Sequence, residues 1–192
     1  AGLEKAGVTR AILALGFKPQ PFIDAFPGNQ CGGVRLEYAV EPEPLDTGGA
    51  IAFAARFAGV SHTFIVVNGD VLTSLDVSTL VAFHKKNAAE GTLHLTPVED
   101  PSQFGVVETA SDGQVTRFVE KPAPGETTSF NVNAGTYVLE PSVIERMAVD
   151  QKISIERVVF PAMVAQGTLF AMPTADSWID TGRPETYIAA NM

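Results

Sequence analysis

The sequence predicts an α/β domain: a doubly wound, mostly parallel sheet with helices on both faces and one antiparallel hairpin added to it. Three observations predict it. Apolar runs of strand length alternate with amphipathic helical stretches through the first half of the chain, the pattern of parallel strands joined by crossover helices. Phe64-Ile65-Val66-Val67 runs straight into Asn68-Gly69-Asp70, and ligands of open α/β sheets bind beyond the carboxyl ends of such strands. Asp112-Gly113 separates two alternating segments, 105–109 and 115–120, and Asp-Gly in that setting is a strong hairpin signal.

Element by element, residues 2–6 read as the end of a helix stopped by Gly7, and 8–15 as a buried strand. Residues 18–26 form a short helical candidate, with Phe22 and Phe26 four apart and Pro27-Gly28 as the stop. Residues 34–40 alternate apolar with polar and read as a strand. After the loop 41–47 comes an Ala-rich helix, 48–58, closed by Gly59. The apolar strand 63–67 follows, then an amphipathic helix, 80–89, with Gly91 beyond it. Past the hairpin, 121–129 is a surface loop because Pro122, Pro124 and Gly125 interrupt it, and 131–139 returns as a strand. Pro141 opens a short helix, and Ser154 caps a longer one through 165 with Glu156 in its first turn. Strand 169–172 and helix 184–190 complete the series. No internal repeat or linker divides it, so 1–192 reads as a single domain.

At 45% hydrophobic and 18% charged residues, a 192-residue chain can bury a continuous core. A net charge of -9 without any basic run argues against nucleic acid and anionic membrane as partners. Phosphorylated substrates would therefore require locally concentrated cations or a metal. Cys31 is the only cysteine; it excludes an internal disulfide and fits a cytoplasmic protein. No apolar stretch approaches the roughly 20 residues of a membrane span, and no signal peptide is read.

Several segments carry chemistry. Asp70, and Asp180 within Trp178-Ile179-Asp180-Thr181-Gly182, each follow an apolar run. Mg²⁺ takes one or two carboxylates plus substrate phosphates, so a pair from distant segments suffices; alone, each aspartate also fits a turn or a cap. Gly69 permits a sharp turn and close backbone approach. In the run from Glu41 to Ala50 two prolines stiffen the approach, and Thr47-Gly48-Gly49 opens a helix whose bare amides suit a base edge or an anion, ordinary capping being the other reading. Glu120-Lys121-Pro122 sets a hydroxyl-binding carboxylate beside a phosphate-binding ammonium, or else an exposed ion pair. Asn133-Ala134-Gly135 places an amide and a glycine in an apolar strand, where Gly marks a bulge or a close ligand. His62, His84 and His94 lack ligand spacing and read as structural or surface residues. No Ser/His/Asp or Cys/His arrangement suggests a covalent nucleophile.

In order, Pro44-Leu45-Asp46-Thr47-Gly48-Gly49, Asn68-Gly69-Asp70, Phe104-Gly105, Val119-Glu120-Lys121-Pro122, Asn133-Ala134-Gly135 and Trp178-Ile179-Asp180-Thr181-Gly182 resemble the sugar-1-phosphate nucleotidyltransferases. The mannose-1-phosphate guanylyltransferase (GDP-mannose pyrophosphorylase) branch is the nearest, and Ser154-Ile155-Glu156-Arg157 before Phe160-Pro161 fits it too. The resemblance implies a Rossmann-like catalytic domain that joins a sugar 1-phosphate, mannose 1-phosphate in that branch, to an NTP, GTP in that branch, with release of pyrophosphate. It also implies Asp70 and Asp180 on Mg²⁺, Thr47, Gly48 and Gly69 at the nucleotide, Gly105, Glu120 and Asn133 at the sugar, and Lys121 at the sugar phosphate.

The sequence departs from the family at three points. The family opens with a strand and a Gly-x-Gly-Thr-Arg loop followed by a Pro-Lys pair, which these 192 residues do not contain. The expectation is an N-terminally truncated domain with little activity as it stands, and with two strand edges left open, so that it self-associates as a homo-oligomer or is marginally stable. Asp46 stands where the family usually has Gly, and no β-helix domain follows Met192. Two alternatives stay open: a noncatalytic nucleotide-sugar-binding regulatory homologue, and a metal-dependent glycosyltransferase.

Overall fold

The computed structural model describes residues 2–148 and 151–192. Its strands are β1 Arg10–Leu15, β2 Gln30–Cys31, β3 Val34–Val40, β4 Phe64–Val67, β5 Val71–Thr73, β6 Gly91–Pro97, β7 Gly105–Thr109, β8 Val115–Glu120, β9 Asn131–Leu139, β10 Leu169–Pro173 and β11 Trp178–Asp180. Its helices are α1 Gly2–Lys5, α2 Gln20–Ala25, α3 Asp46–Phe57, α4 Val77–Lys86, α5 Ser142–Glu145, α6 Phe160–Gln166 and α7 Pro184–Ala189. A π-helical turn, Ile155–Val159, leads into α6.

The α/β class holds, and the sheets are mixed. Strand β9 is the hub: β6 runs along one edge, while the other edge meets β7 at Val106–Val132 and then β4 from Val67–Thr136 to Phe64–Leu139. Both β4 and β6 are antiparallel to β9, and β10 is parallel to β6. The strand–helix–strand alternation therefore does give co-directional strands, as the sequence predicts, but β9 is inserted between two of them in the opposite sense. That insertion makes most of the pairings antiparallel rather than parallel. Strand β6 itself has no counterpart in the sequence reading, although Thr92, His94 and Thr96 alternate there with Leu93 and Leu95.

The two faces of this sheet hold two clusters. Leu93, Leu95, Tyr137 and Leu139 pack with Ala52 and Ala55 of α3 and with Phe160 and Met163 of α6. Val138, on the opposite face, meets Leu80 and Val77 of α4. Asp76 caps α4, its carboxylate accepting from the Ser78 amide at 3.0 Å. The Asp112-Gly113 hairpin forms over the expected strands, with Gly113 at φ +89° and the Gln114 amide donating to Asp112. Glu90, ahead of β6, accepts from Arg146, Ser142 and Thr168, tying α5 and the α6–β10 corner to the sheet.

The remaining strands sit apart. Strand β1 pairs in parallel with β3, β3 pairs with β2, and among the described residues neither the outer edge of β1 nor that of β4 has a partner strand. Helix α2 buries nothing, and Phe17 and Phe22 stand in solvent.

Candidate active site

The turn after β4 delivers Asn68, Gly69 and Asp70, and β11 delivers Asp180; antiparallel pairing of β5 with β11 puts Asp180 opposite Val71. The Thr181 amide and hydroxyl both donate to the Asp70 carbonyl, at 2.8 and 2.7 Å, which fixes the register. The two carboxylates converge on Gly182: a Cβ there would lie 3.0 Å from Asp180 Oδ1 and 3.4 Å from Asp70 Oδ2. Both aspartates face one cavity of about 150 Å³, as the pairing of remote acids requires.

The cavity floor comes from β7, β8 and β9. Gly105 has no room for a side chain, because a Cβ would meet Phe118 Cζ at 2.7 Å and Glu120 Oε2 at 2.9 Å. Gly135, at φ +73°, lies against the Asn68 amide where β9 exchanges β7 for β4 as its partner. Asn133 donates to the Tyr137 hydroxyl at 2.9 Å. Burial above all raises the Tyr137 pKa, with the Glu156 and Glu120 charges adding to it, so the phenol stays neutral. Trp178 forms one wall, its indole N–H donating to the Ala134 carbonyl and its ring edge-on to Phe104.

Burial, reinforced by Glu156, raises the Glu120 carboxyl pKa, while Lys121 and Arg157 pull it down. Lys121 holds φ +53°, rare for a side-chain-bearing residue, with its amide donating to the Phe104 carbonyl. Such strain persists where the surroundings over-determine it, and it clusters at functional sites. Four carboxylates line the cavity, Asp70, Asp180, Glu120 and Glu156, and no lysine or arginine does among the described residues. The lining is therefore strongly acidic, and the nearest cations acting on it are Lys121 and Arg157, which lie just outside.

A Nucleotidyl transferase family model matches residues 3–192. The chain belongs to the nucleotidyl transferase family. Curated relatives include a mannose-1-phosphate guanyltransferase of Schizosaccharomyces pombe, 39% identical over 97% of this chain and 52% of its own length. A mannose-1-phosphate guanylyltransferase of Mycobacterium tuberculosis is 39% identical over 95% and 51%. The chain thus spans about half the length of the curated relatives it matches. Among solved structures, HddC from Yersinia pseudotuberculosis superposes with a TM-score of 0.81 at 31% identity, covering 98% of this chain and 80% of that one. An apo UDP-glucose pyrophosphorylase shares the fold at 18% identity and a TM-score of 0.81, over 98% of this chain and 82% of its own.

The fold gathers Asp70, Asp180, Gly105, Glu120 and Asn133 around one cavity; Thr47, Gly48, Gly69 and Lys121 lie outside its lining. One expectation is corrected. The amides of Gly48 and Gly49 are not bare: both donate to the Ile153 carbonyl, at 2.7 and 3.1 Å. Side chains at 48 and 49 would strike the backbone of 151–155, so these glycines admit that segment to α3 rather than a ligand. The left-handed φ of +63° at Asp46 gives a physical reason for glycine at this position in the family. Sequence reasoning gave Glu156 as a first-turn acid within the Ser154-Ile155-Glu156-Arg157 motif but assigned it no site role, although it lines the cavity, where its Oε2 accepts from both Ser154 and Thr47. His84 and His94 are buried and hydrogen-bonded to Thr92 and Thr174, and His62 is exposed. Among the described residues no three His, Cys, Asp or Glu side chains cluster as a metal cage, and no helix is long and apolar enough to cross a membrane.

Proposed function

We propose that this chain contributes the sugar and metal half of a sugar-1-phosphate nucleotidyltransferase, with GTP and mannose 1-phosphate as the favoured pair. The observation that carries the reading is the convergence of Asp70 and Asp180 on Gly182 at the head of a cavity floored by Gly105, Glu120 and Asn133. Two carboxylates without a third protein ligand fit Mg²⁺, which keeps positions for substrate oxygens. When bound there, Mg²⁺ would neutralise phosphate charge.

The side chains supply the rest. Glu120 and Asn133 accept from and donate to ring hydroxyls, and Gly105 beside them leaves room for the Glu120 and Phe118 side chains. Lys121 meets the sugar phosphate, and Thr47 with the turn at Gly69 borders the nucleotide. A sugar-phosphate oxygen attacks the α-phosphorus in line; the new P–O bond forms as the bond to the β-phosphate oxygen breaks, and pyrophosphate leaves. No protein nucleophile is needed. Because Gly-x-Gly-Thr-Arg is absent from residues 1–192, the same reading expects little turnover from this polypeptide alone. It also covers a cytoplasmic setting, and self-association through the open edges of β1 and β4, checked by sedimentation at two concentrations.

The test is a panel of four NTPs against several sugar 1-phosphates, using a chain in which that loop precedes residue 1. Mg²⁺-dependent pyrophosphate release is expected. Tight GDP-mannose binding without turnover would favour the regulatory reading instead.

A further inference from the structure

Glu156 lies on the π-helical turn, and a wider turn moves a side chain off the register of an ordinary helix. Its Oε2 accepts from the Thr47 hydroxyl at 2.6 Å and from the Ser154 hydroxyl at 2.8 Å. Thr47 Oγ1 in turn accepts from the Ile155 amide at 3.1 Å. Two short bonds therefore clamp one carboxylate oxygen between the start of α3 and the turn, and the third holds Thr47 in place. No hydrogen bond from the described residues reaches Oε1, although Glu156 lines the same cavity as Glu120 and Asn133. Burial raises the proton affinity of Glu120, and the opposing Glu156 charge adds to it.

Two acids sharing a half-buried cavity are costly unless something donates to both. Metal does not account for this pair, since Asp70 and Asp180 converge elsewhere, at Gly182. A sugar ring offers adjacent hydroxyls, each an O–H donor, and charged acceptors make the stronger hydrogen bonds. We propose that Glu156 is a specificity-determining residue: clamped by Thr47 and Ser154, it presents Oε1 to one ring hydroxyl while Glu120 takes another. The clamp joins the sugar cavity to the opening of α3, so Thr47 acts on sugar binding as a positioning residue, through Glu156. This deepens the reading of the cavity as a sugar-phosphate site.

Trp178 is the only tryptophan and lines the cavity, so its fluorescence reports occupancy directly, without turnover. The test titrates mannose 1-phosphate and its single-deoxy analogues, with Mg²⁺ present, into the chain and into Glu156→Gln, Glu156→Ala and Thr47→Val. In the unmodified chain, one deoxy analogue is expected to bind at least tenfold more weakly than the parent, the loss typical of a hydrogen bond to a charged group. That discrimination should vanish in both Glu156 variants and shrink in Thr47→Val, while the other analogues keep their rank. Equal discrimination in all four proteins overturns the proposal, as does absence of sugar-phosphate binding by the unmodified chain. If the loop-bearing chain still releases pyrophosphate in either case, only the role of Glu156 has failed; if it does not, the enzymatic reading has failed as well.

Discussion

Leu93 in β6 and Leu13 in β1 are both apolar strand residues, yet Leu93 is wholly buried between α3, α6 and β9 while Leu13 is only half-covered on a strand paired along one edge. The same contrast divides the molecule. Strands β6 and β9 carry Leu93, Leu95, Val132, Val138 and Leu139, each inaccessible to solvent, and they support the cavity floor. The three-stranded sheet has open edges, and the opening of α3 spends its amides on Ile153. On the proposed reading, Glu120 and Asn133, which would hold a sugar ring in one orientation, stand on the saturated side, where rigid elements fix side chains.

If that division is right, removing charge at the cavity should damage chemistry without damaging the fold. Asp70→Asn and Asp180→Asn, in the loop-bearing chain, are each expected to lower pyrophosphate release by about a hundredfold or more, the scale of losing a preorganised electrostatic group. The melting temperature should stay within a few degrees. Unchanged turnover in both would falsify the metal assignment.

Stability should obey the opposite rule. Leu93→Ala is expected to cost about 2–5 kcal/mol, because the closed packing cannot collapse into the space left. Leu13→Ala should cost less than half as much in the same denaturant titration. Equal costs would mean that the free edge of β1 is covered in solution, which the sedimentation test would then register.

His94 puts a pH mark on the saturated side. It is buried at the β6 bulge, with Nε2 bonded to Thr174 Oγ1 at 2.8 Å and Nδ1 without a partner. Burial lowers its pKa, and Asp176 only partly offsets this. Below the unfolded value near 6.5, the unfolded chain binds a proton that the folded chain refuses, so stability falls as pH drops, by at most about 1.4 kcal/mol per pH unit. Melting at pH 7.5 and 5.5 should show the decline, and His94→Gln should flatten it. An unchanged slope in the variant would assign the decline to other groups.

Legibility followed the same division. Strand 34–40 and the hairpin were readable because period-two patterning and turn chemistry are local, whereas the remote Asp70 and Asp180 were linked only by the apolar run each one ends and by the family resemblance. The position of β9 between β4 and β6 was not readable, since pairing partners are chosen by the whole core. Gly48 and Gly49 misled for a related reason. A glycine pair at a helix start looks the same whether a ligand or another backbone fills the space, and here residues 151–155 fill it.

Asp46, on the open side, gives the smallest effect and the finest comparison. Its left-handed backbone favours glycine, and relief of that strain is worth about 1 kcal/mol at most for an aspartate, which tolerates this region better than other residues. Two losses oppose the gain. Oδ1 no longer accepts from the Thr47 amide at 2.8 Å, and glycine adds freedom to the unfolded chain. The net change for Asp46→Gly should stay within about 1 kcal/mol, a melting shift of roughly 2–4 °C in a chain of this size. The informative readout is therefore nucleotide affinity in the loop-bearing chain. Removing a carboxylate beside Thr47 takes one negative charge from the α3 opening, so KM for the NTP should fall while KM for the sugar phosphate holds. If both constants move together, the clamp between Thr47 and Glu156 couples the two ends of the site more tightly than the contrast between its two sides implies.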